Sequence, residues 1–240
     1  MKTYNLPSNP KTLIFDIDST LYTNAAYAFE QVDCQVRQFA RDRGMSADEA
    51  RRMVADYRKK FAATNNGKKI SLGNVLLAFG IPIEQSVEWR KTLMEPADFL
   101  TRDERLIQTL SELQKNYKLI CVTNNPVFTA RKTLDAIGIS EFFPDIVGLD
   151  TCLKSKPALE PFEKACELTN STPQQCIAIG DRYDMDISLP LEMGMGGILV
   201  TGVEEVYELE AGVLGGSSHL GEGVAENRRA GWSEGKAFPS

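Results

Sequence analysis

Short runs of consecutive apolar residues recur along this chain, each followed by a stretch whose apolar positions repeat with helical spacing. Leu13-Ile14-Phe15, Leu119-Ile120-Cys121-Val122, Cys176-Ile177-Ala178-Ile179 and Gly197-Ile198-Leu199-Val200 are too short for helices and show no polar alternation. Such runs read as strands buried on both faces. Asp145-Ile146-Val147-Gly148 is a weaker strand of the same kind. Helical spacing covers about 101–116, opened by a Thr101–Glu104 capping box, then a segment from Pro126 to a stop at Gly138, then 159–169, and a stretch ending near Met193. The alternation predicts an α/β fold: a Rossmann-like, three-layer core with a parallel sheet covered by helices on both faces.

Between the first strand and the rest, the pattern is helical only. Asn24 to Arg43 reads as one helix with Gly44 as its stop, and Ser46 with Glu49 forms a capping box for a helix to about Phe61. A polar break at Thr64-Asn65-Asn66-Gly67 precedes helical segments near 71–79 and 84–94. This block is expected to be an all-helical cap domain inserted into the core. The expected boundaries are 1–22 and 98–210 for the core, 23–97 for the cap, and 211–240 for a Gly- and Ser-rich, aperiodic tail that reads as disordered.

Composition narrows the chemistry. The 33 acidic and 27 basic residues give a net charge of −6, which speaks against a nucleic-acid polymer as partner. No run approaches the roughly 18 apolar residues of a membrane span, and the N-terminus lacks an apolar leader segment. Five cysteines without a CxxC pair suit free thiols in a reducing compartment, so a cytoplasmic location is expected. The single histidine, His219, lies in the tail, which nearly excludes Ser-His-Asp, Cys-His and His-zinc chemistry. The oligomeric state is not readable from the sequence.

Carboxylates, hydroxyls and lysines remain, and they cluster where strands end, the place where parallel sheets bind ligands. Asp16 and Asp18 follow the first strand: Asp16 could attack a phosphoryl group and Asp18 handle the leaving group's proton, or both could be solvated turn acids. Thr123 and Asn124 could bind phosphate oxygens or simply cap a helix. Lys156 could neutralise phosphate charge or be a solvated loop lysine. Asp181 and Asp186 could be hard ligands for Mg2+ or first-turn acids of a helix.

Taken in order, these residues resemble the haloacid dehalogenase-like hydrolase superfamily over about residues 11–208. Asp16-Ile17-Asp18-Ser19-Thr20 matches its DxDx[TV] motif, Thr123 its strand-ending hydroxyl, Lys156-Pro157 its lysine, and Gly180-Asp181 with Asp186 its last acidic motif. The resemblance implies a Mg2+-dependent phosphatase acting on a small-molecule phosphate ester through an aspartyl-phosphate. Asp16 would be the nucleophile, Asp18 the acid and base, and Thr123 and Lys156 the phosphoryl-binding residues. Asp16, Asp18 (through its backbone carbonyl), Asp181 and Asp186 would serve the metal, with Asp184 as a further acid nearby.

Asp56 to Gly67 and the Asp18-Ser19-Thr20-Leu21-Tyr22 run are similar to the pyrimidine 5′-nucleotidase-like branch. That suggests a nucleoside 5′-monophosphate substrate, with Tyr22, Asn24, Tyr27, Thr64, Asn65 and Asn66 reading the leaving group. Phe61 and Ala62-Ala63 depart from that branch's pattern, and a histidine often found downstream is absent. A phosphomutase, or a non-enzymatic phospho-acceptor, is the competing expectation.

Overall fold

The computed structural model describes residues 1–67, 69–209 and 214. Six strands form one sheet: β1 (Lys2–Tyr4), β2 (Thr12–Phe15), β3 (Lys118–Val122), β4 (Ile146–Val147), β5 (Cys176–Gly180) and β6 (Gly196–Leu199), in the order β1-β6-β5-β2-β3-β4. The buried strand β2 lies parallel between β3 and β5, and β4 and β6 extend the sheet in the same sense. Strand β1 was not expected. It pairs antiparallel with β6 at the edge, and its Lys-Thr-Tyr sequence is largely exposed, so no apolar run marks it.

Among the described residues, five α-helices separate β2 from β3, and the first four form the inserted block: α1 (Ala25–Arg43), α2 (Ala47–Thr64), α3 (Leu72–Ala78) and α4 (Ile83–Leu93). Asn24 caps α1 by accepting from the Tyr27 amide at 2.9 Å, and Gly44 ends it at φ +64°. The Ser46–Glu49 box is reciprocal, with the Ser46 amide donating to Glu49 Oε2 at 2.8 Å. Helix α2 runs to Thr64, past the expected end at Phe61, and the Thr64 hydroxyl donates back to the Lys60 and Phe61 carbonyls. These helices enclose an apolar cluster of their own that includes Val36, Phe39, Leu76 and Trp89. Asp33 ties α1 to α2: hydrogen bonds from Arg51 and Arg37 outweigh its burial and hold its carboxyl below the usual range.

Six further helices follow: α5 (Glu104–Leu113), α6 (Val127–Ile137), α7 (Leu149–Cys152), α8 (Leu159–Thr169), α9 (Ser188–Glu192) and α10 (Val203–Val206). The Thr101–Glu104 box does not form. Asp103 caps α5 instead, accepting from the Leu106 amide at 3.0 Å, and the Tyr207 hydroxyl fixes its other oxygen at 2.6 Å. The helix ends at Leu113 rather than near Asn116. Strand residues alternate between two clusters, as the two-residue period of a strand requires. Leu13, Phe15, Leu119, Cys121, Ile177 and Ile179 join α5 and α6 on one face. Ile14, Ile120, Val122 and Cys176 join Phe162 and Ala165 of α8 on the other.

The core is therefore the three-layer α/β arrangement that the pattern predicts. Of the segment 211–240, read as a disordered tail, all but position 214 lies outside the described residues, His219 included; Leu214 is buried in the larger cluster. No helix among the described residues is long and apolar enough to cross a membrane.

Candidate active site

Because β2, β3 and β5 are parallel and in register, their ends bring Asp16, Thr123 and Asp181 to one rim of the sheet. The Asp16 amide still donates to the Ile179 carbonyl at 2.8 Å, and the Thr123 amide to Val147 at 2.9 Å. Backbone positions at the rim are thus set by the sheet, and the side chains are carried on its stiffness.

Lys156 lies at the centre of the charged groups. Its Nζ donates to Asp16 Oδ1 and to Asp186 Oδ1, both at 2.6 Å, and its side chain is only 2% exposed. Asn124 holds the lysine's own backbone, with Oδ1 accepting from the Lys156 amide at 2.7 Å. Asp186 reaches the lysine from a π-helical turn, Tyr183–Ile187, and its Oδ2 accepts from the Arg182 amide at 3.0 Å. The same turn leaves Asp184 exposed. Gly180 is required beneath it, because a Cβ there would stand 2.4 Å from Asp186 Cβ.

Three acids, Asp16, Asp181 and Asp186, offer carboxylate oxygens within 4.8 Å of one another. Among the described residues, Asp16 Oδ2 and Asp181 Oδ1 are buried with no hydrogen-bond partner, and the nearest cation to the latter is Arg182 Nε at 3.8 Å. Two orphaned, buried carboxylate oxygens side by side are costly. They form the hard-oxygen set that a small divalent cation satisfies. Both Asp186 oxygens are already engaged by Lys156 and the Arg182 amide. The open positions therefore belong to Asp16 and Asp181. Burial pushes Asp16 up to about 7; Lys156 opposes the shift, while Asp186 and Asp18 add to it. Asp181 is likewise raised, by burial first and by Asp186 next. Burial works against the Lys156 charge, but the flanking Asp16 and Asp186 outweigh it and hold the ammonium form.

Asp18 is placed differently. The chain doubles back after Ile17, whose carbonyl accepts from the Thr20 and Leu21 amides, and Ser19 takes φ +60°. The Asp18 carboxylate turns away from the three-acid cluster. Oδ1 accepts from the Tyr22 hydroxyl at 2.6 Å and from Gln31 Nε2 at 2.8 Å, while Oδ2 accepts from Asn125 Nδ2 at 2.8 Å. Asn125 also donates to Gln31 Oε1 at 2.8 Å and accepts from Arg90 at 3.2 Å, and Arg90 donates to Gln35 at 3.1 Å. A buried polar network thus runs from Asp18 into α1 and α4. Thr123 is buried, its Oγ1 accepting from the Asn125 amide at 3.1 Å, which leaves its own hydroxyl proton free to donate.

A cavity of about 400 Å³ opens between this rim and the inserted helices, lined by Asp18, Asn124 and Asn125 below and by Gln31, Arg58 and Arg90 above. Tyr22 and Asn65 are not among the residues that line it. Tyr22 is spent on Asp18, and Asn65 Nδ2 donates to the Phe61 carbonyl at 2.8 Å, closing the end of α2. Asn24 and Thr64 serve as helix-end bonds, Tyr27 is buried against Thr133, and Asn66 sits exposed at φ +53°. Gln31 and Arg90 were not singled out from the sequence, and Asn125 was noted only as part of the Thr123-Asn124-Asn125 strand end. One signal was present: Tyr27, Gln31, Gln35 and Phe39 recur every four residues, so two amides share a stripe with two buried aromatics.

A parallel core that gathers an acid pair, a buried lysine and a second acid pair at its strand ends has the parts of a carboxylate-based hydrolase. The family model for haloacid dehalogenase-like hydrolases matches residues 10–194, and the chain belongs to that family. Pyrophosphatase PpaX of Listeria welshimeri is 25% identical over 72% of this chain and 75% of its own length. Glyceraldehyde 3-phosphate phosphatase of Methanothermobacter thermautotrophicus is 25% identical over 83% and 88%. N-acylneuraminate-9-phosphatase of the rat is 29% identical, but the match spans 45% of this chain and less than half, 42%, of that enzyme. Among solved structures, the hydrolase YfnB of Bacillus subtilis, determined with magnesium bound, shares the fold at a TM-score of 0.55, 21% identity, and 86% and 99% coverage.

Proposed function

We propose that the chain is a magnesium-dependent phosphatase that hydrolyses a small phosphate monoester through an aspartyl-phosphate on Asp16. The observation that carries this reading is the divided environment of that carboxylate. Oδ1 is pinned by Lys156, and Oδ2 is buried with no hydrogen-bond partner among the described residues, two positions before Asp18, which lines the cavity. A fixed, desolvated carboxylate can give one oxygen to a cation and present the other to phosphorus, which is a nucleophile held in place.

Asp16 and Asp181 would hold Mg2+, with Asp186 fixing Lys156 beside them. When bound, the ion supplies positive charge against the transferring phosphoryl oxygens. Asp16 attacks phosphorus, an Asp16 O–P bond forms and the ester P–O bond breaks. Asp18 gives its proton to the departing alkoxide oxygen. Asp18 then takes a proton from water, the water oxygen bonds to phosphorus, and phosphate leaves with Asp16 restored. Lys156 offsets charge at the nucleophile, and the free Thr123 hydroxyl donates to a phosphoryl oxygen. Tyr22, Gln31 and Asn125 hold the Asp18 carboxylate aimed at the cavity.

Residues 23–97 are read as the cap that closes this site from water and selects the leaving group. The polar residues through which a nucleoside would be read, Thr64 and Asn65, are turned to their own helix, so a 5′-nucleotidase reading gains no support from them. The test is phosphate release from an aryl phosphate with Mg2+, with EDTA, and for Asp16→Asn. Activity should require the metal and fall by several orders of magnitude in the variant. Release that survives EDTA or the substitution contradicts the mechanism.

A further inference from the structure

The cavity above Asp18 is basic. Arg58, Lys69, Arg90 and Arg182 line it, against the single acid Asp18. Two of these cations have fixed duties. Arg90 is held by Gln35 and by the Asn124 carbonyl and Asn125 side chain, and Arg182 lies 3.8 Å from Asp181. Lys69 is exposed to solvent.

Arg58 differs from all three. It stands on the inward stripe of α2, one turn from buried Val54 and one turn from Ala62, which also lines the cavity. It is half-buried, its Nε is buried, and it has no hydrogen-bond or ion-pair partner among the described residues. Two other arginines of the inserted helices carry acids, Arg37 with Glu30 and Asp33 and Arg51 with Asp33 and Asp48, while Arg41, Arg43 and Arg90 donate to amide or carbonyl oxygens. Burial alone lowers the Arg58 charge affinity, with no acid to offset it. A half-buried guanidinium whose Nε finds no acceptor is costly, and an anion entering the cavity supplies that acceptor.

We infer that Arg58 binds a second anionic group on the leaving side of the substrate, so that the preferred substrates are phosphate monoesters whose alcohol also carries a carboxylate or a further phosphate. The inference rests on the phosphatase reading for the position of the scissile group, and it concerns only the part of the cavity that Arg58 lines. About 400 Å³ suits such a small dianionic or trianionic molecule rather than a polymer end. The fork of a guanidinium pairs with carboxylate and phosphate alike, so the two sources are separated by experiment.

The experiment measures binding, in Mg2+, of phosphonoacetate, ethylene-1,2-bisphosphonate and the control ethylphosphonate to wild type, Arg58→Met and Arg58→Lys, by calorimetry. Wild type should bind at least one charged analogue roughly 10- to 100-fold more tightly than ethylphosphonate. Arg58→Met should lose that margin while keeping its affinity for ethylphosphonate, and Arg58→Lys should recover part of it. The tighter of the two charged analogues identifies the second anion as carboxylate or phosphate. Equal binding of all three analogues by wild type overturns the inference, as does a uniform weakening of all three in Arg58→Met. If the binding margin holds while wild type releases no phosphate from an aryl phosphate, the anion site stands and the hydrolytic reading fails.

Discussion

Replacing Lys156 by methionine removes the cation that Asp16 and Asp186 share. The ammonium lies 2.6 Å from both Asp16 and Asp186, and all three side chains are at most 3% exposed. Breaking a buried pair by deleting one partner costs about 3–5 kcal/mol, because the remaining charge is stranded. The acids can escape part of that cost by binding protons. Asp16 already sits near 7 with the lysine present, and without it will hold its proton higher still. Each unit of such a shift costs about 1.4 kcal/mol at a pH where the unfolded chain is ionised.

The sign follows from linkage. A carboxyl raised in the folded state binds more protons there than in the unfolded chain, so stability falls as pH rises through that window. The Lys156→Met penalty should therefore be near 3 kcal/mol or more at about pH 8 and shrink markedly near pH 5. That corresponds to a loss of roughly 10 °C in melting temperature at the higher pH. Urea unfolding at both pH values, with and without Mg2+, measures it. Mg2+ should raise the stability of the variant more than that of wild type, since the stranded acids are a stronger cation site. Equal unfolding midpoints for variant and wild type at about pH 8, or a penalty independent of pH, would refute the reasoning.

Other outcomes follow from the same contacts. Gly180→Ala places a methyl 2.4 Å from Asp186 Cβ, so it should cost about 1–3 kcal/mol by denaturant titration and displace the acid that fixes Lys156. Asn125→Ala leaves Gln31, Arg90 and Asp18 each short of a partner; a loss of about 1–3 kcal/mol in stability is expected, with a larger proportional loss in kcat than in KM for an aryl phosphate. In metal-free protein, Asp16 takes up a proton below about 7, and that proton competes with the cation. Mg2+ affinity followed by calorimetry should accordingly strengthen as pH rises to about 7 and level off above it, whereas a flat profile would show that Asp16 does not hold the ion.

The sheet was legible because buried parallel strands are continuous apolar runs, and Leu13-Ile14-Phe15 or Cys176–Ile179 can be little else at that length. Strand β1 was not, because an exposed edge strand of Lys, Thr and Tyr has no apolar signature and is defined only by its partner β6. At the site, Asp16, Lys156, Asp181 and Asp186 could be nominated from motif order, since strand ends converge by topology. What order could not convey is how their oxygens are shared. Asp186 spends both of its own on Lys156 and the Arg182 amide, while Asp16 and Asp181 each keep one free.

Asp18 looked like a companion of Asp16 but belongs to a different network, because the turn it enters brings its carboxylate to Tyr22, Gln31 and Asn125. Tyr22 and Asn65 were nominated with the pyrimidine 5′-nucleotidase-like resemblance, and local partners, Asp18 and the Phe61 carbonyl, claimed them first. Gln31 and Arg58 escaped notice because an amide or guanidinium on a helix looks solvent-facing until the packing of that helix is known.

The most direct test is to trap the phosphoryl group on the protein. Wild type is mixed with an aryl phosphate and Mg2+, quenched in acid during turnover and treated with borohydride, which reduces an acyl phosphate to an alcohol; the peptide containing residue 16 is then examined by mass spectrometry. Conversion of Asp16 to homoserine, absent without substrate and absent in Asp16→Asn, is the predicted result. Steady hydrolysis with Asp16 unmodified at every quench time, or reduction appearing at another acid, would contradict Asp16 as the nucleophile.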